Sequence, residues 1–99
     1  MDEDLIFQVL AIVSEIHWGK VASYKQIASL AGRPKNARLV GKILSHASMY
    51  GDYPCHRVVN SAGRLVPEWY EQRDLLLEED VCFKDNGNVD MKKCKWQLD

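Results

Sequence analysis

Hydrophobic residues near the start of the chain recur at the spacing of one face of an α-helix. This pattern predicts an amphipathic first helix over about Asp4–His17, which the Trp18-Gly19-Lys20 segment ends. The apolar positions of this helix are Leu5, Ile6, Val9, Leu10, Ile12, Val13 and Ile16.

Two shorter helical segments follow, joined by a turn. Ser23 and Gln26 form a capping-box pattern that opens a helix over Tyr24–Ala31, and Gly32 is suited to end it. A second apolar pattern predicts a helix over Asn36–Ala47. Two short helices joined by a turn that contains glycine indicate a helix-turn-helix, although ordinary helical bundles contain such pairs too.

The second half of the chain predicts short strands around one more helix. Val58-Val59 and Leu65-Val66 flank a turn with glycine and predict a hairpin, and Trp69–Glu79 has a helical pattern. Val81–Phe83 and Val89–Met91 flank an Asn-Gly pair, which is typical of a second hairpin. The predicted fold class is therefore mainly α with small β-hairpins.

Composition narrows the class of protein. The 99 residues, 46% of them hydrophobic, suit a single domain over 1–99, and we expect Trp96 to fold back on its core. No apolar run is long enough for a bilayer, and the acidic start Met1–Asp4 is unlike a secretory leader. The three cysteines fit neither a disulfide scaffold nor a zinc site, so we expect a cytoplasmic protein without a metal. We also expect no cofactor, and a monomer, since no heptad or exposed apolar stripe indicates otherwise.

Charge is distributed unevenly along the chain. The segment Lys20–Arg64 carries a net charge of +7, whereas Leu65–Asp80 carries −5. Lys35, Arg38 and Lys42 lie on or near the exposed side of the predicted second helix of the helix-turn-helix, the position of a recognition helix. A solvated basic face is the plainer interpretation, but the concentration of charge in one segment favours a nucleic-acid partner.

The tetrapeptide Pro54-Cys55-His56-Arg57 is the strongest chemical signal. It places a thiol beside an imidazole and a guanidinium, and a neighbouring base or positive charge favours the reactive thiolate. This predicts a sulfur anion at the edge of a basic surface that includes Arg57. A buried structural thiol remains the alternative at this point.

Longer stretches of the chain show a family resemblance. Pro54-Cys55-His56-Arg57-Val58-Val59 resembles the signature of the O6-alkylguanine-DNA alkyltransferases. Gly19-Lys20-Val21-Ala22-Ser23-Tyr24, Ile27-Ala28, Ala31-Gly32 and Ala37-Arg38-Leu39-Val40-Gly41 resemble the same family in the same order. The resemblance extends from about Leu5 to Val81 and implies a winged helix-turn-helix-like DNA-binding domain.

The resemblance also implies roles for individual residues. Cys55 matches the alkyl-accepting nucleophile, His56 the general base that acts through a water, and Glu79 the carboxylate that orients the histidine, with Glu78 as the other candidate. Tyr24 matches the residue that helps rotate the target nucleotide, and Arg38 the one that fills the gap in the base stack. The implied partner is double-stranded DNA containing O6-alkylguanine. Our predicted DNA contacts are Tyr24, Lys35, Arg38, Lys42 and Arg57.

Three departures from the family pattern leave the activity open. The chain starts at the first helix, without the partner domain that usually precedes it. Val66–Glu71 replaces a glycine-rich active-site loop, and Ala47-Ser48 lies where many members have an asparagine. These features resemble the alkyltransferase-like proteins, which bind lesions without repairing them and recruit excision repair. Because Cys55 is retained, we predict the enzyme, a methylated-DNA–protein-cysteine S-methyltransferase that flips out the O6-alkylguanine and transfers the alkyl group irreversibly to Cys55. The lesion sensor is the alternative. A winged-helix module with an inert thiol is the third reading.

Overall fold

A computed structural model describes residues 3–98 of the chain. Helix α1 covers Glu3–Ser14, strand β1 covers Ala22–Ser23, and helices α2 and α3 cover Tyr24–Leu30 and Ala37–Ser45. Two 3₁₀ turns follow at Ala47–Met49 and Cys55–Arg57. The remaining elements are strand β2 at Val58–Val59, helix α4 at Glu71–Glu78 and helix α5 at Met91–Cys94.

The ends of α2 follow from its sequence. The Ser23 hydroxyl accepts the backbone N–H of Gln26 at 3.0 Å, so the predicted N-cap is confirmed. The Gln26 side chain does not complete the capping box, because its amide donates instead to the carbonyl of Trp96 at 2.8 Å. At the other end Gly32 has a φ of +76°, and Arg33 N–H donates to Ala28 O at 2.8 Å, which makes a Schellman motif.

The core has two parts with the small sheet between them. Helices α1, α2 and α3 surround the larger cluster, which Trp96 joins as predicted with 2% of its surface exposed. The smaller cluster joins Val21 and Val59, beside or in the strands, with Leu76 of α4 and with three residues that follow α4, Val81, Val89 and Cys94. Successive strand residues point to opposite faces, so Val58 packs into the first cluster and Val59 into the second.

The predicted hairpin between Val58-Val59 and Leu65-Val66 is wrong. β2 pairs in parallel with β1, with Ala22 opposite Val58. The chain after β2 turns away because Gly63, at a φ of +87°, lies against the backbone of Val89, and Val89 N–H donates to its carbonyl at 2.8 Å. A side chain at Gly63 would collide with the Val89 carbonyl oxygen.

In place of the second predicted hairpin, the structure has a single antiparallel bridge between Phe83 and Val89. Met91, expected in a strand, begins α5 because the Asp90 carboxylate accepts the N–H of Lys92 at 3.1 Å and caps the helix. The C-terminal ends of the other four helices were predicted one to three residues too far along the chain. The predicted fold class, mainly α with minor β structure, is confirmed.

Within residues 3–98 no helix is long and apolar enough to cross a membrane.

Candidate active site

Cys55, His56 and Arg57 form one 3₁₀ turn that enters β2 directly. Cys55 N–H donates to Tyr53 O at 2.8 Å, and Arg57 N–H donates to Pro54 O at 3.0 Å. All three side chains are half-buried. Since β2 pairs with β1, and β1 leads directly into α2, the turn is held at a fixed place beside the helix-turn-helix.

A buried carboxylate holds two of these side chains. His56 Nε2 lies 2.7 Å from Glu79 Oε2, and Arg57 Nε and Nη2 donate to the two carboxylate oxygens at 2.9 Å each. Gly19 N–H donates to Glu79 Oε1 at 3.0 Å, and Arg57 Nη1 donates to Ile16 O at 2.9 Å. One carboxylate therefore joins the active-site turn, the segment after α1 and the end of α4.

These contacts control the charge of Glu79. Burial alone would raise its pKa, but the hydrogen bonds from Arg57, Gly19 and His56 outweigh it, and the pKa falls to about 2. Glu79 is thus ionised at neutral pH, and it, rather than exposed Glu78, contacts His56. It is the C-cap of α4, which ends in a Schellman motif with Asp80 at a φ of +62°.

Cys55 lies on the wall of a cavity of about 370 Å³. Trp69 and Val66, from the segment before α4, form part of the same wall. His56 instead faces a neighbouring cavity of about 660 Å³, and the two cavities share Asp52, Tyr53 and Trp69 as lining residues. Among residues 3–98 no hydrogen bond joins the Cys55 thiol directly to His56.

The surroundings of Cys55 oppose a resting thiolate. Burial raises the pKa of the Cys55 thiol, and the neighbouring Asp52 carboxylate raises it further, against a smaller opposite effect of a backbone hydrogen bond. The predicted sulfur anion is therefore wrong for the resting protein: Cys55 is a neutral thiol that must lose a proton to react.

Tyr24 is the predicted site residue that begins α2. It is half-buried, and its ring faces Gly41, where an added Cβ would lie 3.9 Å from two ring carbons. Burial raises the pKa of Tyr24, and Cys55 adds to that effect, which places phenol and thiol within electrostatic range. The absence of a side chain at Gly41 lets α3 approach this ring.

The predicted cationic contacts divide into two groups. Lys35, Arg38 and Lys42 are exposed on or just before α3, whose opposite face buries Val40 and Ile43. The guanidinium of Arg57 instead binds Glu79 and Ile16, and only 16% of its side chain is exposed. Arg57 therefore supports the active-site turn, and its predicted DNA contact stays a prediction.

Gln72 is a site residue that the sequence interpretation missed. It is fully buried on α4, where its Oε1 accepts Val66 N–H at 2.7 Å and its Nε2 donates to His56 O and Val58 O at 3.1 Å each. This single amide ties the active-site turn to the segment that carries Trp69. A glutamine between charged neighbours predicts a solvent-facing position, so the sequence offers no signal for this role.

The segment Val66–Tyr70 contributes Trp69 to the walls of both cavities and Val66 to the Cys55 cavity. Glu68 has a φ of +68°, a conformation that residues other than glycine rarely adopt, and Trp69 N–H donates to Val66 O at 3.3 Å. Trp69 is half-buried and lines both cavities, whereas Tyr70 is 83% exposed. An aromatic wall thus occupies the place where the sequence departs from a glycine-rich loop.

No group of three His, Cys, Asp or Glu side chains within residues 3–98 is arranged to hold a metal ion.

Comparison with known proteins defines the class. Residues 5–81 match the family described as 6-O-methylguanine DNA methyltransferase, DNA binding domain, and the chain belongs to that family. The resemblance drawn from the sequence is therefore confirmed.

Individual relatives include proteins of two kinds. The chain is 35% identical over 94 residues to the DNA base-flipping protein of Escherichia coli (strain K12), which covers 92% of this chain and 70% of that protein. It is 44% identical over 76 residues to the methylated-DNA–protein-cysteine methyltransferase of Homo sapiens, covering 68% of this chain and 37% of that protein. A crystal structure of S. pombe Atl1 in complex with damaged DNA containing O6-carboxymethylguanine superposes with a TM-score of 0.86 at 30% identity, over 99% of both chains.

Proposed function

We propose that this chain binds duplex DNA, takes an O6-alkylguanine out of the base stack into the Cys55 cavity, and transfers the alkyl group once to Cys55. The observation that carries the proposal is the position of the Cys55 thiol on the wall of a cavity beside a histidine–carboxylate pair. A cavity of about 370 Å³ lies in the size range of small-molecule sites. The S. pombe structure with damaged DNA supports the same partner for this chain.

Base flipping is required because the O6 alkyl group of a stacked guanine is out of reach of a side chain. Unstacking costs a few kcal/mol and costs least for a poorly paired, damaged base. Arg38, exposed on α3, fills the vacated place in the stack, and Tyr24, at the start of α2 beside Cys55, steers the rotating nucleotide. Lys35 and Lys42 neutralise phosphates, so affinity falls with rising salt.

The histidine–carboxylate pair supplies a base for the neutral thiol. Glu79 is ionised and can only accept a hydrogen bond, so His56 Nε2 carries the proton between them. The other ring nitrogen, Nδ1, is then free of a proton in the neutral imidazole and can receive the Cys55 proton through a water.

The transfer itself is a single displacement. The Cys55 sulfur forms a bond to the alkyl carbon as the bond from that carbon to guanine O6 breaks. The proton that left the thiol is returned to the guanine, which regains its keto form. The product is a thioether on Cys55, which no group in the site reverses, so each chain reacts once.

Lesion sensing without transfer is the second candidate. The raised pKa of the Cys55 thiol favours it, because sensing needs the cavity and the flipped base but no thiolate. The name of the Escherichia coli relative, DNA base-flipping protein, also fits sensing. In that case the bound chain marks the lesion for excision-repair proteins.

Intact mass spectrometry distinguishes the two candidates. The protein is incubated with a duplex that contains one O6-methylguanine, and we expect the mass of one methyl group on Cys55 and restored guanine in the DNA. Lesion binding without any mass change would reject transfer and leave sensing.

The matched control uses a cysteine outside the cavity. Cys82 is exposed, so Cys82→Ala keeps every thiol of the site and is expected to accept the methyl group like the wild type. Cys55→Ala is expected to bind the lesion but gain no mass. A methyl group found on Cys82 instead of Cys55 would show non-specific alkylation and reject the proposed nucleophile.

A further inference from the structure

Two cysteines outside the candidate active site lie against each other. Cys82 is exposed in the segment after α4, and Cys94 is buried at the end of α5 with 5% of its surface exposed. The backbone N–H of Cys82 donates to the Cys94 sulfur at 3.3 Å. Since N and Cα of a residue are about 1.5 Å apart, the Cα of Cys82 lies within about 4.8 Å of that sulfur.

The backbone around Asp90 sets this distance. Asp90 N–H donates to Cys82 O at 2.8 Å, which places Asp90 opposite Cys82 in the bridged hairpin. Cys94 N–H donates to Asp90 O at 3.0 Å, one helical turn further along α5. Because Asp90 also caps α5 through its side chain, the helix and the hairpin hold a fixed mutual position. These backbone hydrogen bonds therefore hold the two cysteines close to each other.

We propose that Cys82 and Cys94 are an oxidation site, in which a disulfide oxidant of the glutathione class converts the two thiols into an intramolecular disulfide. The exposed Cys82 attacks the oxidant first and forms a mixed disulfide with one glutathione. Cys94 then displaces that glutathione, and its sulfur bonds to the sulfur of Cys82. The two thiols lose two protons and two electrons, and the oxidised glutathione gains them and becomes two reduced molecules.

The closeness of Cys82 to Cys94 and the exposure of Cys82 to oxidants favour a disulfide at this pair over oxidation of Cys55. A disulfide needs its two Cα atoms within about 7 Å, and the contact between Cys82 N–H and the Cys94 sulfur holds the two residues close, while the exposure of Cys82 gives an oxidant access to it. Cys55 lies on the wall of its own cavity, and the raised pKa of its thiol lowers its reactivity toward oxidants. The site that accepts the alkyl group in the proposed function is therefore left reduced when the pair is oxidised.

The disulfide stabilises the part of the fold that supports the site. Cys94 O accepts Val21 N–H at 2.8 Å, and Trp96 N–H donates to Val21 O at 2.7 Å, so α5 and the residues after it are bound to the start of β1. Cys82 follows Glu79 by three residues. The disulfide covalently connects these two segments and reduces the freedom of the unfolded chain, which raises the melting temperature by about 10 °C.

The test uses the full chain and oxidised glutathione. After oxidation, free thiols are alkylated in denaturant and counted by intact mass, and an unreduced peptide map locates the disulfide. Of the three free cysteines, we expect only Cys55 to be alkylated after oxidation, with the Cys82 and Cys94 peptides joined and the melting temperature raised. Reduction with dithiothreitol restores three alkylated thiols and the original melting temperature.

Two variants keep the test decisive. Cys82→Ser changes an exposed side chain and is expected to fold normally but to lose the rise in melting temperature, whereas Cys55→Ser is expected to keep it. A stable glutathione adduct on Cys82 with Cys94 still free, a disulfide that includes Cys55, or a disulfide between two chains would each overturn the proposal. These outcomes do not depend on DNA binding, so they are independent of the proposed function.

Discussion

The buried carboxylate of Glu79 makes the free energy of unfolding depend on pH, with stability lost in acid. It accepts hydrogen bonds from His56, Arg57 and Gly19, and its pKa is lowered from 4.5 to about 2. A shift of this size corresponds to about 3 kcal/mol of stability. A group whose pKa is lower in the folded state stabilises the fold above its unfolded pKa. The contribution is therefore complete above about pH 5 and is lost as the pH falls toward 2.

Replacing this carboxylate removes the contribution. Glu79→Gln keeps the shape of the side chain but leaves the buried Arg57 guanidinium without a counter-charge, so we expect the variant to be about 3 kcal/mol less stable at pH 7. Urea unfolding followed by circular dichroism from pH 7 to pH 2 measures the difference. We expect that difference to shrink to about 0.5 kcal/mol or less at pH 2, where Glu79 of the wild type is itself about half protonated.

The neighbouring glutamate provides the control. Glu78 is exposed on the last turn of α4 and Glu78→Gln makes the same chemical change one residue away, so it should follow the wild type within about 0.5 kcal/mol at every pH. If Glu79→Gln and Glu78→Gln gave the same pH profile, the reasoning about the buried carboxylate would be refuted.

Three further comparisons test other parts of the structure. Arg38→Ala should weaken binding to lesion-containing DNA with little change in melting temperature, whereas the main effect of Arg57→Ala should be a lower melting temperature. The reverse pattern would contradict a DNA contact for Arg38 and a supporting role for Arg57. Gln72→Leu removes three hydrogen bonds to buried and half-buried backbone groups and should cost about 3 kcal/mol in urea unfolding, and a cost below about 1 kcal/mol would argue against its role. Gly63→Ala should destabilise more than Gly87→Ala, because both have positive φ but only the first meets neighbouring backbone; equal losses of melting temperature would refute the close contact.

Local sequence patterns predicted the helices well because their causes are local. The apolar spacing of α1, the Ser23 cap and the glycine that ends α2 each act within a few residues. The α5 helix was missed although Asp90 is a good N-cap, since the alternating pattern Val89-Asp90-Met91 after the Asn-Gly pair favoured a strand. The positions of helix ends were the weakest part of these predictions.

Contacts between distant segments were not predictable in the same way. The pairing of β1 with β2 joins two short strands from different parts of the chain, and nothing local in Val58-Val59 distinguishes it from a hairpin strand. The same holds for Arg57 and Gln72, whose charge or polarity suggests solvent but whose partners lie elsewhere in the chain. Glu79 was reached only through the family resemblance. The neutral state of the Cys55 thiol depends on burial, which the neighbouring residues in the sequence do not reveal.

The central claim is that the Cys55 cavity receives an alkylated guanine from duplex DNA, whether or not transfer follows. The Cys55→Ala variant tests it at equilibrium, because it can bind the lesion but cannot accept the alkyl group. Its Kd is measured for two duplexes that differ only in one O6-methylguanine, at the same salt concentration. We predict at least about tenfold tighter binding of the lesion duplex, which corresponds to about 1.4 kcal/mol. Equal affinity for the two duplexes would contradict the account.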